Sequence, residues 1–255
     1  MRTPRTALAA AVTMLFCFAA ALCEGFDVQA AGVAAVGLQH EWHPTPQSVA
    51  LFFSAGNFGL FLGALVGGVL TDRFGSRTVL KGSIATFGLF SLLTSQAWDM
   101  QSLVWMRTLT GFGLGGAMPN LIVLAAQSGV AQSRHARIAT TYIGMPIGGA
   151  IASLIVALIS LEHWRRIFIV GGSAPLVVAA AMVVLMPSEP RDTAAPRVPS
   201  GSRAIRGLFS SERVLQTLLL WVGFFLMQVT FQIMLNWLPL LMQARGRHSS
   251  DICTT

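Results

Sequence analysis

The sequence predicts an all-α, multi-spanning membrane protein, and three observations carry that reading. Charged residues make up 11% of the 255-residue chain and apolar ones 54%, against roughly 25% charged in an ordinary soluble domain. Seven apolar stretches are long enough to cross a bilayer, which takes about 20 residues each. The basic residues lie in short segments between those stretches. A net charge of +7 therefore does not point to nucleic acid, which would need a basic patch on a soluble face.

The stretches are 8–37, 47–70, 79–98, 102–128, 138–160, 166–186 and 214–241. The first begins like a secretory leader, with Arg2 and Arg5, an apolar core and Ala19-Ala20-Ala21. Its apolar run resumes after Asp27 and continues to Leu38, which a leader has no reason to do. It reads as a retained first helix. Residues 187–213 carry Pro187, Pro190, Pro196 and Pro199 with five Arg and three acids, a composition that cannot bury enough apolar surface to fold alone. The expected organisation is a six-helix bundle over 1–186, a cytoplasmic linker over 187–213, a seventh helix over 214–242 and a polar tail over 243–255.

Orientation follows from counting cations by side, because cytoplasmic loops are enriched in Lys and Arg. With the N-terminus inside, twelve of the seventeen fall in cytoplasmic segments: Arg2, Arg5, Arg73, Arg77, Lys81, Arg134, Arg137, Arg191, Arg197, Arg203, Arg206 and Arg213. Four fall outside: Arg165, Arg166, Arg245 and Arg247. Trp42, Trp98, Trp105, Trp164 and Trp237 gather near the outer boundary, where amphipathic rings are favoured; Trp221 is the exception.

Three charges lie within spans, where each costs about 2.5–3.5 kcal/mol near the bilayer centre on insertion scales. Glu24 and Asp27 are three residues apart in the first span, so they share a helical face and can line one cavity. Two carboxyls this close disfavour simultaneous ionisation, which suits a proton carrier. Arg107 enters the fourth span from the opposite direction, at a depth that overlaps theirs. The blander reading is that Arg107 snorkels outward and the acids pair locally.

The turn after the second span reads Gly68-Val69-Leu70-Thr71-Asp72-Arg73-Phe74-Gly75-Ser76-Arg77. Gly75 permits the backbone reversal, and Asp72 can cap a helix start or pair with Arg73 or Arg77. The string resembles the signature loop between helices two and three of the major facilitator superfamily. That resemblance implies a cytoplasmic gating latch at Gly68, Asp72, Arg73, Gly75 and Arg77. The fourth span agrees, since Arg107-Thr108-Leu109-Thr110-Gly111-Phe112-Gly113-Leu114-Gly115-Gly116 looks like the family's Arg-plus-Gly ladder. Small residues at this density, with Gly144 and Gly148 flanking Pro146 in the fifth span, let helices approach closely. The same letters contain G-x-G-x-x-G at 111–116, but no strand precedes them, so no nucleotide or other cofactor is expected.

Glu24-Gly25-Phe26-Asp27 through Gly32 is similar to the acidic helix-one motif of the aromatic acid:proton symporters. With Phe53-Ser54-Ala55-Gly56, Gly63 to Gly68 and Asn236-Trp237-Leu238-Pro239, the chain is most similar to their 3-(3-hydroxyphenyl)propionate branch. The resemblance implies a bacterial inner-membrane carrier taking up an aromatic carboxylate with protons, its partners being that substrate, protons and lipid. Two departures stand out. Family members have twelve helices, whereas this chain passes into a polar tail after the seventh, as a truncated or frame-shifted product would. That implies a missing C-terminal half, or self-association in its place, and makes a transport-inactive fragment the main alternative. Such a fragment would leave the Gly faces at Gly63, Gly67, Gly111 and Gly115 short of partners, with Gln228, Gln232 and Asn236 exposed. The second departure is in Gly144-Met145-Pro146-Ile147-Gly148-Gly149, which partly resembles the antiporter signature. Met145 stands where that signature has Gly, which weakens the antiporter or efflux alternative.

Other classes fit poorly. Lys81 is the only Lys, so the seventh helix has no residue for a retinal Schiff base. An intramembrane enzyme is disfavoured because His40, His43, His135, His163 and His248 all lie outside the spans. Cys17 and Cys23 do not share a helical face, and no metal-ligand spacing is present.

Overall fold

The computed structural model describes residues 4–128, 133–158, 164–186 and 214–252. Among them the regular structure is helical throughout: α1 (Pro4–Glu41), α2 (Pro46–Phe74), α3 (Ser76–Thr94), α4 (Met100–Gln127), α5 (Arg134–Leu158), α6 (Trp164–Leu185) and α7 (Val214–Ile252). The linker expected at 187–213 lies outside the described residues. The tail expected from 243 onward does not separate from the last helix, because α7 runs on to Ile252.

Six of these helices are long and apolar enough to cross a membrane. The exception is α3, which the sequence reading placed at 79–98 as a span like the others. It is 19 residues long and carries Arg77, Lys81 and several Ser and Thr. It packs between α4 and α6, so its polar positions can be satisfied by protein rather than facing lipid.

Helix ends follow local chemistry. Thr45 caps α2, its hydroxyl accepting from Ser48 N–H at 3.3 Å, and Pro46 occupies the first turn, where its missing N–H costs nothing. Asp99 and Ser102 form a capping box at the start of α4. Arg137 donates to the carbonyls of Ala125 at 3.0 Å and Ala126 at 2.9 Å, which are among the last acceptors of α4 otherwise left open.

Close approach through glycine sets the packing. A Cβ at Gly59 would meet the Thr108 carbonyl at 1.9 Å, and one at Gly63 would meet that of Phe112 at 2.0 Å. One at Gly115 would meet the Leu60 carbonyl at 2.0 Å. The pairs advance in step, so α2 and α4 lie side by side in the same direction. Likewise α5 lies on α1, with Gly148 against Leu22 and Gly25 against Met145, each at 1.9 Å to a carbonyl. The Gly faces expected to lack partners are therefore filled within the bundle. One apolar cluster gathers Phe26, Leu38, Phe52, Trp164 and Phe168, and another gathers Phe16, Leu80, Ile84, Leu124 and Met182.

α7 touches the bundle near its Gln232–Leu240 stretch. A Cβ at Gly32 would meet the Leu235 carbonyl at 2.6 Å, and Trp237 packs edge-on to Phe53 at 5.7 Å. Gln232 donates to the Asn57 side-chain carbonyl at 2.8 Å, and Asn236 is buried. Of the three polar residues expected to be exposed on this helix, only Gln228 is fully so.

Candidate functional site

The site is built from α1, α2, α3, α4 and α6. Arg107 Nη1 donates to both oxygens of Asp27, at 2.8 Å to Oδ2 and 3.1 Å to Oδ1. The Ser91 hydroxyl donates to Oδ1 at 3.0 Å. Asp27 is 0% and Arg107 6% exposed, so the pair is sealed from its surroundings. Phe52 and Phe168 flank the guanidinium, each 5.7 Å from their ring centroids to Cζ, a separation at which the ring quadrupole attracts a cation. Removing two charges from water costs several kcal/mol per ion, repaid only when geometry is good and remaining groups are bonded. Here one group is not. Arg107 Nε is buried without a hydrogen-bond partner among the described residues. Beside it stands Gly56, where a Cβ would lie 3.7 Å from Nη2 and 4.0 Å from Nε.

The structure thus brings Asp27 and Arg107 together and excludes the outward-snorkelling geometry. Glu24 does not join the pair. It is 2% exposed, its Oε2 has no hydrogen-bond partner among the described residues, and it faces a recess between α4 and α5 lined by Met118, Leu121, Thr141, Tyr142 and Met145. Three residues along a helix leave a net offset of about 60° between side chains, so the two carboxyls leave nearly the same face but end in neighbouring compartments.

The α2–α3 turn holds the other group of candidates. Gly75 ends α2 at φ 82°, a conformation that favours glycine, and its N–H donates to the Thr71 carbonyl at 2.9 Å. Gly75 also occupies the cap position of α3, with no side-chain bond, so Asp72 does not cap that helix. Asp72 and Arg73 are exposed, with the Arg73 guanidinium over the Phe74 ring at 5.4 Å. Gly68 has nothing within 4 Å of a would-be Cβ. In the ladder, Gly111, Gly113, Gly115 and Gly116 press on α2 and α3, while Gly144 and Gly148 press on α1 and Pro146 sits inside α5.

Sequence reasoning missed several contributors. Ser91, Phe52 and Phe168 carry no signal, since a lone Ser and two Phe in apolar spans look like ordinary packing. A polar tether between α2 and α4 was also missed: the Thr71 hydroxyl lies 2.9 Å from Asn120 Oδ1, whose amide donates to the Gly116 carbonyl at 2.8 Å. At the opposite end Glu41 accepts from Arg165 and, at 2.6 Å, from Trp164 Nε1. Trp164, read from the sequence as lying near the outer boundary, is packed within the bundle at 1% exposure.

Among the described residues, seven long helices, six of them apolar enough to span a membrane, surround a buried ion pair and define a polytopic membrane protein with a charged interior site. The profile of the Major Facilitator Superfamily matches residues 17–250, and the chain belongs to that family. It is 40% identical over 240 residues to the 3-(3-hydroxyphenyl)propionate transporter of Escherichia coli (strain K12), covering 94% of this chain and 59% of that protein. It is 31% identical to a 4-hydroxybenzoate transporter of Acinetobacter baylyi, over 91% of this chain and 58% of that one. A gallate transporter of Pseudomonas putida is 29% identical, with 91% and 58% covered. The chain therefore spans under two thirds of the length of these relatives.

Two solved structures share the fold. The inward-open xylose transporter XylE from E. coli has a TM-score of 0.61 at 17% identity, covering 71% of this chain and 49% of that one. A bacterial homologue of the human lysosomal transporter Spinster, inward-facing and unoccupied, has a TM-score of 0.64 at 15% identity, with 82% and 50% covered.

Proposed function

We propose that this chain supplies the substrate- and proton-handling part of a bacterial inner-membrane carrier for an aromatic carboxylate such as 3-(3-hydroxyphenyl)propionate. Uptake is coupled to inward proton flow, and the N-terminus is cytoplasmic. Glu24, Asp27 and Arg107 form the coupling set. The observation that supports this best is the asymmetry of Arg107: among the described residues both of its hydrogen bonds leave from Nη1, and its Nε edge is unclaimed. A guanidinium offers parallel N–H donors that match a carboxylate fork. An incoming carboxylate meets that edge beside Gly56 and competes with Asp27 for the same cation. The exchange keeps the buried charge balanced, which matters because a lone buried ion is strongly unfavourable.

The relatives' names supply the substrate class, and the site supplies a reason for the negative charge. By the same likeness, Gly68, Asp72, Arg73, Gly75 and Arg77 act as the cytoplasmic gating turn. Saturable binding of labelled 3-(3-hydroxyphenyl)propionate to the chain in liposomes, with weak binding of the uncharged amide, is the expected result. For the complete, twelve-helix carrier, accumulation following an imposed inward proton gradient is the expected transport readout. Equal binding of acid and amide, or accumulation indifferent to the gradient, would remove this reading.

A further inference from the structure

The recess beside Glu24 is separate from the ion pair and has its own chemistry. Its volume is about 10 Å³, room for about one water. Its walls are apolar at Met118, Leu121 and Ile122 on α4, and at Ile138 and Met145 on α5. Its lining residues also include Glu24, Thr141 and Tyr142. The Thr141 hydroxyl already donates to the Arg137 carbonyl at 3.1 Å, leaving it an acceptor. Tyr142 is 43% exposed and so links the recess to its surroundings. A water held in an apolar site needs two to four polar partners, and Glu24, Thr141 and Tyr142 are the lining residues that would supply them.

We infer that Glu24, rather than Asp27, is the carboxyl that takes up and releases the coupled proton, through a one-water recess shared with Tyr142. The inference rests on the proton-coupled reading above. Asp27 is occupied on both oxygens by Arg107 and on one by Ser91, so a proton there must first displace a cation. Among the described residues, Glu24 Oε2 has no partner to displace. In the step itself a hydronium in the recess gives its proton to the Glu24 carboxylate and leaves water. The reverse step returns the proton to that water.

Few other charges face the recess. On α1 itself Asp27 lies three residues on, and on α4 Arg107 is committed to Asp27. On α5 Tyr142 is the one titratable lining residue. The only charged residues of α6, Arg165 and Arg166, sit at its start, and α7 has no ionisable residue before Arg245.

Infrared difference spectra of the 255-residue chain in lipid, recorded between two pH values, read carboxyl protonation directly. We expect a carboxylic C=O band that Glu24→Gln removes and Asp27→Asn leaves. Tyr142→Phe should shift its frequency. Glu24→Asp and Asp27→Glu keep a carboxyl at each position and guard against misfolding: the band should move with the residue at 24 and ignore that at 27. A band that survives Glu24→Gln, a band that tracks residue 27, or no titrating band at all would overturn the inference. The spectra require no transport, so failed accumulation of labelled acid would reject the uptake reading without touching this result.

Discussion

Arg107 reaches from α4 to α1 and holds both oxygens of Asp27 through one nitrogen, with Ser91 of α3 completing the shell. Three helices are thereby tied at one buried point, beside an apolar cluster that includes Phe52 and Phe168. The pair organises the fold as well as the site, and the two roles can be separated by mutation.

Arg107→Ala leaves the Asp27 carboxylate buried with Ser91 alone. Breaking a buried pair from one side costs about 3–5 kcal/mol, so the unfolding midpoint in detergent should fall clearly. Replacing a buried pair by apolar residues is often neutral or stabilising, so Asp27→Leu with Arg107→Leu should recover most of that loss. Binding of the aromatic acid should vanish in both variants. A double variant no more stable than the single would show that the ion pair is not the source of the effect.

Gly56→Ala tests the anion site without breaking the pair. The added Cβ lies in ordinary contact range of the guanidinium, at 3.7 and 4.0 Å, so stability should hardly change. The space beside Nε is then occupied, and affinity for the carboxylate should drop about tenfold or more, equivalent to about 1.4 kcal/mol. Unchanged affinity in a normally folded Gly56→Ala protein would place the substrate elsewhere.

The fold was largely legible because a membrane demands about 20 apolar residues per crossing, and most helices obey. α3 escaped that rule because α4 and α6 cover it. The meeting of Asp27 with Arg107 was readable from two costly charges at overlapping depths. The separation of Glu24 from that pair was not, since i and i+3 spacing bounds a face but not the direction of each side chain. The Gly faces were visible as a pattern, yet which helix fills each depends on tertiary pairing. The bond of Gln232 to Asn57 on α2 and the burial of Asn236 were hidden for the same reason.

Gly148→Val and Gly68→Val form a contrasting pair. A Cβ at position 148 would lie 1.9 Å from the Leu22 carbonyl, whereas nothing lies within 4 Å at position 68. Overpacking typically costs about 1–3 kcal/mol or more, so Gly148→Val should lose folded yield and protease resistance. Gly68→Val should fold normally, which makes it the cleaner probe of the gating turn. Equal folded yields would contradict the α1–α5 packing.

Asp99 gives a pH-dependent prediction. Its carboxylate accepts from the Ser102 backbone N–H at 2.7 Å, and that bond, helped by the Ser102 side chain, holds its pKa below the ordinary carboxylate value. A depressed folded-state pKa means the cap's contribution is fully present above the unfolded pKa, about 3.9. It is lost as pH falls through the folded value. Hydrogen exchange at the first turn of α4 should therefore stay protected above about pH 4 and speed up below it relative to intrinsic rates. Asp99→Asn, which can still cap, should flatten that dependence. A dependence that persists in Asp99→Asn would assign it to another group.

The last prediction is the orientation: N-terminus and α2–α3 turn inside, α1–α2 turn outside. Cytoplasmic loops carry the excess of Lys and Arg because such loops are retained inside, and twelve of seventeen cations fall on the side assigned here. The aromatic residues offer a partial second argument. Trp98 is 75% and Trp105 59% exposed, near the start of α4, at the end where Trp42 and Trp164 pack edge to face at 5.8 Å. Gln47 and Asp72 are both exposed, near opposite ends of α2. Single Cys residues placed at those two positions, in a chain lacking Cys17, Cys23 and Cys253, can be probed with an impermeant thiol reagent on intact cells. Position 47 should label from outside, and position 72 only after the cells are opened. Labelling of 72 with 47 protected would invert the protein in the membrane and move the Gly68–Arg77 turn to the outer face, where a cytoplasmic latch has no place.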